Sequence, residues 1–272
     1  MIPWDLKPAN DNSEGRSETP VRVAAVCYLN TLPLVWGMLH GPHRGRAQLS
    51  FVTPAECADL LAAGQADVGI VPVVEIQRLG LAALPGVCIA SRGPVRSILL
   101  ASKLPPGRIR TLAADAGSRT STMLARLVLA ERFGAEPELI PMAPELPAML
   151  ARADAALLIG DAALRFDPAG FPGEVLDLGA EWTEWTGKPM VFALWAARSG
   201  FESGGLAGMF QASAAFGAAR IDEIARAEAP PRGVPEELAL AYLKHHIRYH
   251  FGNEEREGME LFLEMARRTV AV

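Results

Sequence analysis

"VRVAAVCYLNTLPLVWGML", Val21 to Leu39, decides how the rest of the chain is read. Val21 to Cys27 is a run of small and β-branched residues, the pattern of a buried strand. From Leu32 to Leu39 the apolar pattern resumes in a form that suits a helix. A buried strand running straight into a helix is half of a β–α–β unit, the building block of α/β folds. Between the two halves stand Tyr28, Leu29 and Asn30. An amide at the C-terminal end of a buried strand either caps the next helix or faces a ligand.

Strand and helix patterns go on alternating, so the spacing predicts an α/β fold with mixed, mostly parallel sheets flanked by helices. Gln48 to Thr53 is a second strand, and Thr53-Pro54 is an N-cap followed by a proline suited to the first helical position. Val68 to Val71, Val87 to Ala90 and Ser97 to Ser102 read as further strands. Thr111 to Ala114 opens a second β–α series, in which a helix from Thr120 ends at a Gly134 C-cap. Ala155 to Ile159 and Met190 to Ala196 are strands as well, and the pattern from Leu206 to Val272 is helical, broken at Pro230-Pro231 and Gly252. We expect a disordered leader over 1–20, one lobe from 21–103 plus 195–272, and a second lobe from 104–194. Such lobes leave a cleft lined by strand ends and first helical turns.

Composition narrows the partners. The chain has 272 residues, half of them hydrophobic, and a formal net charge of −5. No block of Lys or Arg stands out, which argues against nucleic-acid and anionic-membrane partners, whereas a small anion needs only a few local donors. No apolar run approaches the roughly 20 residues of a membrane span. Cys27, Cys57 and Cys88 lie far apart and suit reduced, buried thiols in the cytosol.

Several stretches carry chemistry. In "DAGSRTSTML", Asp115 to Leu124, a loop rich in small hydroxyl residues opens directly into a helix. Ser118, Thr120 and Ser121 there either bind a carboxylate or phosphate with the free N–H groups, or merely cap their own helix. In "GPVRSILL", Gly93 to Leu100, Arg96 and Ser97 stand at the mouth of a strand, as anion donors or as an ordinary loop charge with a backbone-bonded hydroxyl. Asp161 closes the strand of "LLIGDAAL" and either caps a helix or takes a ligand hydroxyl; Glu75 after "VGIVPVV" has the same two options. Trp182 and Trp185 with Lys188 suit packing between lobes better than a ligand wall. His246 and His250 are four apart on an expected helix, the spacing of a metal pair, yet no third ligand accompanies them, so no metal and no cofactor is expected. Walker, G-x-G-x-x-G and G-x-S-x-G motifs are absent.

Taken in order, "YLNTLPL" (28–34), "GQADVGIVPVVE" (64–75), "GPVRSILLAS" (93–102), "SRTS" (118–121), "ADAALLIGDAAL" (153–164) and "DLGAEWTEWTGKPMVFALW" (177–195) resemble the chorismate dehydratases of the futalosine route to menaquinone. The resemblance covers about residues 21 to 200. It implies a two-lobed, periplasmic-binding-protein-like type II fold working in the cytosol as a lyase, without cofactor. The implied reaction takes water from chorismate to give 3-[(1-carboxyvinyl)oxy]benzoate. The family's Asn and Ser tied to activity map onto Asn30 and Ser97. Tyr28, Arg96, Ser118, Thr120, Ser121 and Asp161 are then expected to bind substrate. A solute-binding or sensor protein of the same fold is the alternative, as is the later dihydroxynaphthoate synthase of that route. The oligomeric state is not legible in these residues.

Overall fold

The computed structural model describes residues 20–115 and 117–270; the leader expected over 1–20 lies outside them except for Pro20. The chain opens with β1 (Val21–Val26), α1 (Leu32–His40), β2 (Ala47–Val52), α2 (Pro54–Ala62), β3 (Val68–Pro72), α3 (Val73–Leu79) and β4 (Ala82–Ser91). It continues through β5 (Ile98–Ser102), β6 (Thr111–Ala114), α4 (Arg119–Phe133), β7 (Glu138–Pro141), α5 (Leu146–Arg152), β8 (Ala155–Ile159), α6 (Gly160–Arg165), β9 (Glu174–Asp177) and α7 (Leu178–Thr186). The last part holds β10 (Met190–Ala197), α8 (Leu206–Ala218), α9 (Ile221–Glu228), α10 (Glu236–Ala241), β11 (Arg248–Phe251) and α11 (Asn253–Val270).

These strands form two sheets, one ordered β11-β4-β10-β3-β1-β2 and the other β7-β6-β8-β5-β9. The central strands β3, β5 and β8 are buried along their whole length, which explains their continuous apolar sequences. β2, at an edge, alternates instead. Local signals set the helix ends: Thr53 and Glu56 form a reciprocal capping box at the start of α2, and Gly134 closes α4 at a φ of 64°.

Three expectations need correction. The sheets are mixed, as expected, but not mostly parallel: β10 runs antiparallel to β3 and β4, β11 to β4, and β5 to β8 and β9. Parallel pairing is confined to β1–β2, β1–β3, β6–β7 and β6–β8. The reason is geometric. A crossover helix returns the chain to the same end of its sheet, whereas β5 and β10 arrive directly from the other lobe, at the cleft end, and so run the opposite way. Second, β5 belongs to the second sheet and β10 to the first, so the chain crosses between Ser91 and Ile98 and again between α7 and β10. Crossings near 103 and 195 would split β10 and put β5 in the wrong lobe. Third, the tail is not helical throughout: β11 adds an edge to β4. His250 therefore sits on a strand while His246 ends a π-helical turn, Tyr242–His246, and the two do not share a helix face.

The packing of Trp182 agrees with the reading that favoured an interior role. It is fully buried, donates from Nε1 to the Pro189 carbonyl at 3.1 Å, and meets Trp185 and Phe262 edge-on. Burying an indole removes roughly 200 Å² from water, worth about 5 kcal/mol before entropy is counted. Cys57 and Cys88 are buried free thiols whose pKa is pushed up by burial, which disfavours the thiolate. Among the described residues no helix is long and apolar enough to cross a membrane.

Candidate active site

Asn30 lies in a tight 3-10 turn, Leu29–Thr31, that joins β1 to α1. It is 8% exposed and lines the space between the two lobes. Tyr28 lines the same space, and its ring packs flat against Gly160 of the second lobe. A Cβ at Gly160 would come within 2.7 Å of that ring, and the backbone there has a φ of +56°, so the position takes glycine on both counts. The "YLN" and "LLIGD" stretches are thus two sides of one contact.

The crossover from β4 to β5 carries the other central residue. Ser97 is 2% exposed, with its backbone N–H on the Val95 carbonyl and its carbonyl accepting Gly160 N–H at 2.8 Å. The loop before it is gripped by Asp177, which accepts from the backbone N–H groups of Val95 at 2.9 Å and Arg96 at 2.7 Å while capping α7. Arg96 itself adopts a φ of 63°, rare for a residue with a side chain. Its guanidinium donates to the carbonyls of Ala163 and Phe166 at 2.8 and 2.7 Å. This overturns the expectation that Arg96 binds substrate: the fork is spent on backbone oxygens at the end of α6, and burial lowers its pKa.

At the opening of α4 the side-chain cap is not made. Ser118 stands at the N-cap position without making a side-chain cap bond, and Thr120 Oγ1 is buried with no hydrogen-bond partner among the described residues. Ser118, Thr120 and Ser121 are 4%, 3% and 7% exposed, and all three line the cleft. Their hydroxyls and the first N–H groups of a 15-residue helix converge where its dipole is positive.

Asp161 does not face this space. Its carboxylate accepts the backbone N–H of Leu29 at 3.0 Å and lies 3.3 Å from Arg232 Nε. Burial raises its pKa against the pull of those two partners. It anchors the Asn30 turn from the opposite lobe, so the expected substrate contact becomes a positioning contact. Glu75 is likewise engaged, by Arg78 and by Arg119 of the second lobe, and Arg119 also pairs with Asp59 at 3.2 Å.

Sequence reading missed Tyr242. Its hydroxyl donates to Ser97 Oγ at 2.9 Å. Nothing local marks this tyrosine, since it reaches the site only through the tertiary fold. His246, four residues on, places Nδ1 2.9 Å from the Pro94 carbonyl.

The space between the lobes has a cavity volume of about 70 Å³. Ile89, Val95 and Phe192 make part of its wall apolar, and Asn30, Ser97 and the three α4 hydroxyls supply the polar groups. Arg119 is the one charged side chain among the described residues lining it, and its charge is met by Glu75 and Asp59. Among the described residues no group of three or more His, Cys, Asp or Glu is placed to hold a metal ion.

Known proteins share both fold and sequence. A solved structure from Archaeoglobus fulgidus matches with a TM-score of 0.74 at 18% identity, covering 94% of this chain and 100% of its own. The periplasmic aliphatic sulphonate-binding protein SsuA of Escherichia coli matches with a TM-score of 0.64 at 15% identity, over 93% and 88% of the two chains. These likenesses establish a periplasmic-binding-protein-like fold. A chorismate dehydratase of Thermus thermophilus is 32% identical over 231 residues, 78% of this chain and 83% of that protein. The model of a family described as menaquinone biosynthesis matches residues 21–268. Sequence similarity of that extent means that the chain belongs to the menaquinone biosynthesis family, the one its ordered motifs resembled.

Proposed function

We propose that the protein is a chorismate dehydratase, a cytosolic hydro-lyase that needs no cofactor and converts chorismate to 3-[(1-carboxyvinyl)oxy]benzoate and water. The observation that carries this reading is the cleft wall: neutral donors gathered at the start of α4, opposite an amide and a hydroxyl, with no carboxylate or imidazole among the described lining residues. Chorismate has two carboxylates, and the hydroxyls of Ser118, Thr120 and Ser121 with the α4 N–H groups suit one of them. The name of the Thermus thermophilus relative supports the choice of substrate.

The reaction asks little of the protein in acid–base terms. The enolpyruvyl carboxylate of the substrate takes the C3 proton, the C3–H electron pair becomes the C3–C4 π bond, and the C4–O bond breaks. The departing hydroxide recovers that proton and leaves as water, and the ring becomes aromatic. Asn30 hydrogen-bonds the departing oxygen while Ser97 holds the ring, and orientation of this kind supplies up to roughly 7–11 kcal/mol.

The test is to incubate purified protein with chorismate, without added metal or nucleotide, and look for the aromatic ether by mass and absorbance. Formation of that product at a rate lost in Asn30→Ala supports the reading. Chorismate bound but recovered unchanged would make the protein a solute binder instead. Conversion of a cyclic nucleoside precursor, with chorismate untouched, would make it the dihydroxynaphthoate synthase.

A further inference from the structure

We infer that Tyr242 is a positioning residue for Ser97: its buried phenol fills an acceptor site on Ser97 Oγ and so directs the serine's own proton into the cleft. The inference rests on the function proposed above, through the place of Ser97 in the cleft wall.

Tyr242 is 1% exposed and is not among the residues lining the cleft, so it acts from behind the wall. A buried hydroxyl is costly unless bonded, and this one is bonded to a residue expected to handle the substrate, Ser97, at 2.9 Å. A phenol, with an ordinary pKa of about 10, is a stronger donor than an aliphatic hydroxyl, which sets the direction of the bond. Ser97 has its backbone N–H and carbonyl committed to Val95 and Gly160. Its one free choice is the rotation of its O–H, and a donor arriving from behind removes that choice. The rotor is then an oriented donor at no cost when substrate arrives.

The element that carries Tyr242 points the same way. A π-helical turn is uncommon, and single turns of this kind recur at functional sites. Tyr242–His246 touches the crossover loop twice, through Tyr242 to Ser97 and through His246 to Pro94. The turn therefore buttresses the loop that presents Ser97, from 145 residues away in the chain.

Steady-state kinetics of four proteins, the wild type, Tyr242→Phe, Ser97→Ala and the double variant, test this on chorismate, with melting temperatures to show that folded proteins are compared. Tyr242→Phe should lower kcat roughly 10- to 100-fold, the scale for groups that orient a reacting residue, and leave KM within about threefold. The double variant should be no slower than Ser97→Ala. Wild-type kcat in Tyr242→Phe, or losses that multiply in the double variant, overturns the inference while the dehydratase reading stands. A wild-type protein that leaves chorismate unchanged overturns both.

Discussion

The Asp161 carboxylate, at the start of α6, accepts the backbone N–H of Leu29 at 3.0 Å across 132 residues of chain. One lobe thereby holds the turn of the other, next to the amide expected to meet the leaving oxygen. Its second oxygen lies 3.3 Å from Arg232, so the C-terminal region is tied to the same point.

Asp161→Asn keeps an acceptor for Leu29 and should retain both limbs of the pH–rate profile, since no catalytic proton passes through this group. Asp161→Ala frees the turn and should cost roughly 10- to 100-fold in turnover. Burial raises the native pKa, so the neutral form is favoured on folding. The contribution to stability is complete below the unfolded value of about 3.9 and is lost as pH rises through the native one. The melting temperature of the wild type minus that of Asp161→Asn should therefore fall as pH rises above about 4. Loss of one limb of the profile in Asp161→Asn would show an acid–base role instead.

Thr120→Val keeps the shape of the side chain and removes a buried hydroxyl that has no partner among the described residues. Stability should hold or rise, because an unsatisfied buried polar group costs roughly 1–3 kcal/mol. Affinity should fall roughly tenfold, the worth of one hydrogen bond to a charged ligand. Thermal melts and chorismate titrations of the same protein check both halves, and unchanged affinity would remove Thr120 from the anion site.

Gly160→Ala adds a methyl that would approach the Tyr28 ring to 2.7 Å and forces a φ of +56° on a residue with a Cβ. The backbone term alone is about 1–2 kcal/mol, and the clash adds to it by pushing Tyr28 toward the cleft. A lowered melting temperature with a raised KM is expected. A variant as stable and as active as wild type would mean that the Tyr28–Gly160 contact is slack.

Asp67 ties the starts of β1 and β3 to the end of β10. Its carboxylate takes hydrogen bonds from Arg22 and Arg198, and the Arg22 side chain is the main reason that its pKa is held down at about 2. A depressed native pKa stabilises the fold above the unfolded value of about 3.9, and that share is lost as pH falls toward 2. Asp67→Asn should melt below wild type at pH 7 and converge with it near pH 2. Parallel melting curves across that range would count against the ion pairs.

Much of this protein is legible locally. Alternating strand and helix patterns, the Thr53 cap and the Gly134 stop are properties of a few neighbouring residues, and they place several strands and helices, such as β1, β3, β6 and β8, within a residue or two. The chemistry-bearing stretches also stand out, because a polar residue at the end of an apolar strand is conspicuous whatever surrounds it. Asn30 and Ser97 stand out this way, Ser118, Thr120 and Ser121 as a hydroxyl-rich opening of a helix, and all five line the cleft.

Other features exist only once the chain is folded. An apolar run announces a strand but not its sheet, so neither the lobe of β5 nor the share of antiparallel pairing can be read from it. A charged side chain advertises a possible ligand, yet Arg96 spends its fork on two carbonyls and Asp161 its oxygens on Leu29 and Arg232. Tyr242 carried no mark at all. Local interactions act over three or four residues and can be read in order along the chain. The partners of a buried polar group are set by which distant segments pack around it, and that is decided when the two lobes close on each other.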